Sequence, residues 1–115
     1  MEVTTRELVM LETLDGRVPF ESWFNSLRDS VFQKSIDARL TRVADGNFGD
    51  HKSVGSGVME LRIPKGPGLR VYYGLDGYGL DGSKIVVLIG GGNKSTQNKD
   101  IRNAQKLWKE YLDAK

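Results

Sequence analysis

The sequence lacks the residues from which several common kinds of site are built. It has no cysteine and a single histidine, His51, among its 115 residues. Without cysteine there can be no disulfide and no thiolate metal ligand, and this absence fits a reducing compartment. One histidine supplies neither a catalytic triad nor an H-E-x-x-H zinc helix. We therefore expect no metal and no cofactor, and we expect His51 to be exposed beside the loop that follows a helix.

Long apolar runs are also missing from the chain. No stretch approaches the roughly 20 residues that span a bilayer, and the N-terminal segment MEVTTRELVM does not resemble a signal peptide. A length of 115 residues with 28% charged residues is typical of one soluble globular domain. The sequence therefore predicts a single domain over residues 1–115, with a cytoplasmic location as the simplest expectation.

Positive charge is scarce in the first half of the chain and abundant in the second. Residues 1–51 hold six lysines and arginines against nine acidic residues, a balance of −3, whereas residues 52–115 hold eleven against six, a balance of +5. Such a division suggests a side that faces a polyanion. Two ordinary solvated surfaces would give the same totals, so the charge alone leaves both interpretations open.

Apolar residues at helical spacing predict two helical segments early in the chain and a third at its end. Residues 19–44 form a helical hairpin or one bent helix, whose aromatic and aliphatic stripe packs in the core and leaves Arg39 off the stripe. Residues 95–115 form the last helix. The three buried stripes consist of Phe20, Trp23, Phe24 and Leu27, then Phe32, Ile36, Leu40 and Val43, and finally Ile101, Ala104, Leu107, Trp108 and Tyr111.

The apolar period changes to two in the other segments, which predicts strands. The predicted strands are residues 6–13, 58–63, 69–73 and 84–92, with PKGPG as a hairpin loop and the last strand apolar on both faces. The fold class is therefore α+β, a small antiparallel sheet with helices packed on one face in the order βααβββα. The near-repeat GLDGYGLDGS before the last strand predicts a mobile loop.

Alternation along the two middle strands places two arginines together. Arg62, Arg70 and Tyr72 share the face opposite the apolar residues of the same strands, and Lys94 follows the end of the last strand. Arginine forks bind phosphate in bidentate fashion, and aromatic rings stack on splayed RNA bases. Glu60 shares this face; we expect it to pair with Arg62, and a role as general base is the alternative.

The segment GGGNKST offers a second place for a phosphate. A strand end, three glycines and a helix start bring free backbone N–H groups close to Lys94, which makes a cradle for an anion. The alternative is a glycine-rich connection with a solvated lysine. The spacing does not match a nucleoside triphosphate P-loop, because Asn93 stands between the glycines and the lysine.

Across these residues the sequence resembles the HigB-like, addiction-module killer branch of the RelE/ParE toxin superfamily. The resemblance rests on GVMELRIPKGPGLRVYYG, on IVVLIGGGNKSTQNKDIRNAQKLW, and upstream on RLTRVADGNFGDHKSVGSGVMELRI. It covers nearly the whole chain and implies a RelE/ParE-like fold. It also implies a toxin that cuts mRNA in the ribosomal A site without a metal, through attack of the RNA 2′-OH on the adjacent phosphate.

The resemblance further implies site residues and partners. Arg62, Arg70 and Lys94 would stabilise charge, and Tyr72 or Lys94 would assist proton transfer. The expected RNA-binding residues are Lys52, Lys65, Tyr73, Gln97 and Lys99. The expected partners are a helix-turn-helix, HigA-like antitoxin, the ribosome with its mRNA, and operator DNA through the antitoxin complex only. Two alternatives stay open: a toxin that inhibits DNA gyrase without cutting RNA, and an inactive toxin that only binds its antitoxin and operator.

Overall fold

The computed structural model describes residues 5–78 and 84–115 of the chain. Within these residues it has five strands and three α-helices, which confirms the α+β class. In chain order they are β1 (Arg6–Met10), α1 (Pro19–Ser26), α2 (Ser30–Ala44), β2 (His51–Gly55), β3 (Val58–Ile63), β4 (Leu69–Tyr78), β5 (Lys84–Asn93) and α3 (Gln97–Asp113), with a 3₁₀ turn at Lys94–Thr96 before α3.

The sheet is mixed rather than antiparallel, so that part of the sequence prediction is wrong. The strand order is β1-β5-β4-β3-β2. Strands β2 to β5 form an antiparallel meander, and β5 then lies beside β1 in the parallel direction. Strand β5 is therefore paired on both sides, which agrees with its apolar character on both faces.

The predicted order βααβββα is incomplete because β2 was missed. This edge strand has the sequence HKSVG, in which Val54 is the one apolar side chain, so no alternation marks it. His51 is the first residue of this strand and lies beside the loop that follows α2. Other bounds differ: β1 ends at Met10 rather than at residue 13, and β4 continues to Tyr78. The predicted mobile loop is thus strand in its first half, and residues 79–83 lie outside the described part.

Helices cover both faces of the sheet, not one face as the sequence analysis predicted. Helices α1 and α2 bury one face through a cluster that contains Ile36 and Val43 with Leu61, Val71 and other sheet residues. Helix α3 buries the other face, where Trp108 and Ala104 pack on the strands. The second face needs a cover because it carries its own apolar residues, Val58, Val87 and Ile89.

Two separate helices form where the sequence allowed one bent helix. Asp29 is the last residue before α2 and caps that helix, because its Oδ1 accepts a hydrogen bond from Val31 N at 2.8 Å. The three apolar stripes pack as predicted, but Arg39 on α2 is buried, contrary to expectation. Its guanidinium donates to backbone carbonyls of Phe48, Asp50 and Arg62 at 2.7–3.2 Å. Arg39 therefore ties α2 to the following loop and to β3.

Glycines admit two indole rings against the sheet. A Cβ atom on Gly91 would lie 2.2 Å from the ring of Trp23 on α1, and one on Gly74 would lie 2.6 Å from the ring of Trp108 on α3. Both distances are far below van der Waals contact. The absence of a side chain at these positions lets the helices approach the strands closely.

Candidate anion-binding site

The centre of the candidate site is the arginine pair, Arg62 and Arg70. The β3–β4 ladder makes them Cα partners, and the β4–β5 ladder places Gly92 opposite Arg70. Partner positions project to the same side of a sheet, so both guanidinium groups leave it on the side that carries α3. Both side chains are half-buried. The predicted shared face of the two arginines with Tyr72 is therefore confirmed.

The pair has few acceptors around it. Arg62 Nη2 donates to Asp50 Oδ1 at 3.0 Å. The Nε groups of Arg62 and Arg70 are buried and have no hydrogen-bond partner in the described part of the chain. Like charges that face each other directly across two strands destabilise a sheet. An anion bound between them would relieve that repulsion and accept from the buried donors.

Glu60 does not pair with Arg62, so that prediction is wrong. The Glu60 side chain is fully buried, and its Oε2 accepts a hydrogen bond from Gln97 Nε2 at 3.0 Å. Its Cα partner on β4 is Tyr72. The Glu60–Gln97 contact fastens the first turn of α3 to β3, two residues along the ladder from the arginine pair and on the same face. The other carboxylate oxygen of Glu60, Oε1, is buried and has no hydrogen-bond partner in the described part of the chain.

Tyr72 lies beside Glu60 under helix α3 and is only 1% exposed. Burial, followed by the nearby Glu60 carboxylate, raises the pKa of the Tyr72 phenol far above its ordinary value. The phenol therefore keeps its proton at neutral pH. In any proton transfer it is suited to donate rather than to accept.

Asp100 is a site residue that the sequence analysis did not single out. Its carboxylate lies against the backbone of Gly92, where a Cβ atom would be 1.8 Å from Asp100 Oδ2. It also accepts a hydrogen bond from the Thr96 hydroxyl. Gly92 on β5 is the Cα partner of Arg70 on β4. The Asp100 carboxylate therefore lies over β5, next to the strand that carries Arg70. The sequence feature that could have indicated Asp100 is the pattern G-G-x-K-x-x-Q-x-x-D-I, which contains both Gln97 and Asp100.

The segment GGGNKST does not form the predicted phosphate cradle. Its three glycines belong to β5, and Asn93 caps the 3₁₀ turn that follows. Asn93 Oδ1 accepts from Ser95 N at 2.9 Å and from Thr96 N at 3.3 Å, so these two amides are already engaged. Lys94 itself is exposed, and its backbone N donates to Pro67 O at 3.4 Å.

The predicted RNA-binding residues divide between two sides of the molecule. Lys52 on β2 is the Cα partner of Glu60, and Lys99 is exposed in the first turn of α3, so both lie on the side of the arginine pair. Tyr73 lies on the opposite face, where it is buried and its ring stacks on Phe48 at 5.6 Å between centroids. Burial raises the pKa of Tyr73 to about 12.

Lys65, a predicted RNA-binding residue, and His51, for which the sequence analysis predicted no role, lie away from the arginine pair. Lys65 is exposed in the β3–β4 hairpin, beside a shallow depression that Arg39 and Arg42 also line. His51 is exposed, as predicted, and its Nδ1 is 2.8 Å from Gly49 O. As the partner of Leu61 it lies on the face opposite the arginine pair. No histidine therefore lies at the candidate site.

Neither a metal cluster nor a membrane-spanning helix is found in the part of the chain that the structure describes. No group of three or more histidine, aspartate or glutamate side chains there is arranged to hold a metal ion. None of the helices in residues 5–78 and 84–115 combines the length and apolar character needed to cross a membrane.

The fold and site define an α+β protein with a cationic patch on one sheet face. Its sequence is 44% identical over 91 residues to an uncharacterized protein of Haemophilus influenzae, and the match covers 79% of this chain and 87% of that protein. The chain belongs to the same family as the Haemophilus protein. No family model matches the chain, and no solved structure matches it significantly.

Proposed function

We propose that this protein is the toxin of a type II toxin–antitoxin module and acts as a ribosome-dependent mRNA endoribonuclease of the RelE/HigB kind. The observation that carries the proposal is the arginine pair: Arg62 and Arg70 are direct cross-strand partners, and each has a buried Nε group without a protein acceptor in the described residues. The sequence resemblance to the HigB-like branch supports it. A RelE/ParE-like relationship of the fold is part of the same proposal.

The arginine pair suits a reaction that builds negative charge on a phosphate. The RNA 2′-oxygen attacks the adjacent phosphorus, and the bond from phosphorus to the 5′-oxygen breaks. The products are a 2′,3′-cyclic phosphate and a 5′-hydroxyl. Two positioned guanidinium groups stabilise the extra charge of the pentacoordinate transition state, and each acts most strongly where water is excluded.

Proton transfer is the step for which the chain offers few groups. Glu60 is fully buried, and Tyr72 holds its proton at neutral pH. Tyr72 would serve as a donor to the leaving 5′-oxygen once the bound substrate reaches its buried hydroxyl, whereas the exposed, cationic Lys94 would stabilise the 2′-oxygen while water takes the 2′-OH proton. With so small a set, much of the acceleration would come from substrate orientation. The ribosome supplies such orientation, which is why we propose ribosome dependence.

A second part of the proposal concerns the antitoxin. A cationic active face that is toxic when free has to be covered or distorted when the module is silent. We expect a tight complex with a helix-turn-helix partner and binding of operator DNA through that complex. We also expect a cytoplasmic location, where the ribosome and its mRNA are found.

Induced expression in growing cells tests the function and separates the alternatives. The chain expressed alone should arrest growth, and coexpression with a neighbouring helix-turn-helix protein should restore it. RNA from the arrested cells should show primer-extension stops within codons. Relaxed plasmid DNA with intact mRNA would instead indicate a gyrase inhibitor. Robust growth with soluble, folded protein would indicate an inactive toxin.

A further inference from the structure

Four cations lie along one side of α3 in a repeat that packing against the sheet does not require. Lys99, Arg102, Lys106 and Lys109 follow at intervals of three, four and three residues, which places them on one helical stripe. All four side chains are exposed, while the apolar side of the helix packs on the sheet. At 1.5 Å per residue, the stripe is roughly 15 Å long.

Two adjoining surface depressions follow this stripe. The first, of about 310 Å³, is lined by residues 94–99 and Arg102. The second, of about 590 Å³, is lined in part by Arg102, Lys106 and Lys109. Arg102 lines both depressions, so they lie side by side along α3. The basic trough is defined here as the surface of Lys94, Lys99, Arg102, Lys106 and Lys109 that borders them.

The acidic residues near the basic trough are Glu110 and Asp113, both at the far end of α3. Lys109 Nζ donates to Asp113 Oδ2 at 2.8 Å, in an exposed pair at the far end of α3. The other four cations have no ion pair within the residues that the structure describes. Asp100, on the same helix, turns its carboxylate against Gly92 instead. Positive charge is therefore concentrated between Lys94 and Lys106.

The basic trough begins beside the arginine pair. Gln97 lines its first depression and also donates to Glu60, which lies two residues along β3 from Arg62 on the same face. A chain whose phosphate lay between the arginines would therefore meet the trough next. A stacked strand advances about 3.4 Å along its axis per nucleotide, so a stripe of this length spans several nucleotides.

We infer that the basic trough binds the backbone of single-stranded RNA that flanks the cleaved phosphate. The inference rests on the proposed nuclease function, because that function makes RNA the partner of the neighbouring arginines. The trough supplies phosphate contacts, which position a strand without reading its sequence. Its contribution is affinity and register, whereas the chemistry belongs to the arginine pair.

A binding experiment with an uncleavable ligand tests the inference. The ligand is a fluorescent, unstructured 2′-O-methyl RNA of about 20 nucleotides, which lacks the attacking hydroxyl. Its affinity is measured by anisotropy across a salt series for the wild type and for Arg102→Gln/Lys106→Gln. Loss of two phosphate contacts should lower affinity roughly 25-fold near 0.1 M salt and reduce the slope of log K against log salt by about 1.4.

A matched control removes the same charge from the other side of the molecule. Arg28 and Lys34 are exposed, and α2, which carries Lys34, packs on the opposite face of the sheet. Arg28→Gln/Lys34→Gln should therefore leave affinity and slope near the wild-type values. Equal losses in the two double variants would show a general charge effect and overturn the inference, as would tighter binding of a duplex RNA of the same length.

The two proposals fail in different ways. Wild-type affinity and slope in the Arg102→Gln/Lys106→Gln variant, with intact mRNA cleavage by the wild type, would overturn the trough and leave the nuclease standing. Trough-dependent binding of the 2′-O-methyl RNA by a protein that never cuts ribosomal mRNA would overturn the nuclease and leave the RNA-binding trough standing.

Discussion

Arg62 and Arg70 are Cα partners on β3 and β4, and their guanidinium groups leave the sheet on the same side. Neighbouring like charges at half-buried positions oppose folding slightly, so a structural role explains them poorly. Arg62 has one ion pair, with Asp50, and Arg70 has none within the described residues. Arg70 is therefore the better position at which to separate function from stability.

Arg70→Ala should abolish growth arrest and lower mRNA cleavage by roughly 10²–10³, because one positioned donor to the transition state is lost. Stability and antitoxin binding should stay nearly unchanged, since the side chain has no ion pair in the described structure. Arg70→Lys should recover activity only in part, because an ammonium group cannot bind two phosphate oxygens as a planar fork does. Cleavage assays and thermal unfolding measure the two effects, and Arg28→Ala is the surface control. A sharp fall in melting temperature would favour a packing role.

Arg39→Met should lower the free energy of unfolding by about 3 kcal/mol or more, measured in urea. The change keeps apolar volume but leaves the carbonyls of Phe48, Asp50 and Arg62 without their charged donor. Hydrogen bonds to charged groups contribute about 1.5–3 kcal/mol each. Arg42→Met, one turn along at an exposed position, is the control and should change stability by less than about 0.5 kcal/mol. An equal decrease in the free energy of unfolding in both variants would contradict a stabilising role for the Arg39 hydrogen bonds.

Adjacent glycines of β5 should respond differently to alanine. Gly91→Ala would bring a methyl group into the ring of Trp23, whereas nothing lies within 4 Å of the corresponding position on Gly90. We expect Gly91→Ala to destabilise the fold by about 1–3 kcal/mol through overpacking. Gly90→Ala should be neutral or slightly stabilising, because it restricts the unfolded chain. Denaturant midpoints compare the two, and equal effects would contradict the docking of α1 on β5.

Because of Asp76, the stability of the contact between β4 and the end of α3 should fall at acid pH. Its carboxylate accepts from Lys115 Nζ and from the Tyr111 hydroxyl, and these bonds lower the pKa of Asp76. A lowered folded-state pKa means that the stabilisation is present above the unfolded pKa of about 3.9 and is lost as pH falls through the folded value.

Asp76→Asn should therefore be less stable than the wild type at pH 7, by about 1–2 kcal/mol. The difference should shrink as the pH falls below about 4. Urea unfolding across pH 2–7 measures this convergence. The control is Asp113→Asn, which breaks only the exposed pair with Lys109 and should change stability little at any pH. A constant difference between Asp76→Asn and the wild type over that range would contradict the assignment.

Local patterns predicted the helical stripes and the two faces of β3 and β4, because periods of 3.6 and 2 are set by the backbone alone. The same alternation placed Arg62, Arg70 and Tyr72 on one side. Features that depend on residues distant in the sequence could not be predicted from this alternation. Strand β2 has almost no apolar signal, and the parallel pairing of β1 with β5 joins segments more than 70 residues apart.

The partners of buried polar side chains could not be predicted from the sequence either. Arg39 is buried because three backbone carbonyls from distant segments converge on it, and no spacing in α2 indicates them. Asp100 lies at the site because Gly92 on another element leaves room for it. Glu60 took Gln97 as its partner in place of Arg62, since α3 covers that face of the sheet. A sequence pattern predicts the face of a helix or strand on which a residue lies, whereas the contacts of that residue depend on the whole fold.

We propose that this chain cuts mRNA on the ribosome with Arg62 and Arg70 on the reacting phosphate. The most direct measurement is primer extension on one mRNA, naked and in initiated ribosomes, after incubation with purified wild-type or Arg70→Ala protein. We predict strong stops within codons only for ribosome-bound mRNA with the wild type, and a 10²–10³-fold weaker signal with folded Arg70→Ala. Equal cleavage of naked and bound mRNA, or parental cleavage by Arg70→Ala, would contradict the account.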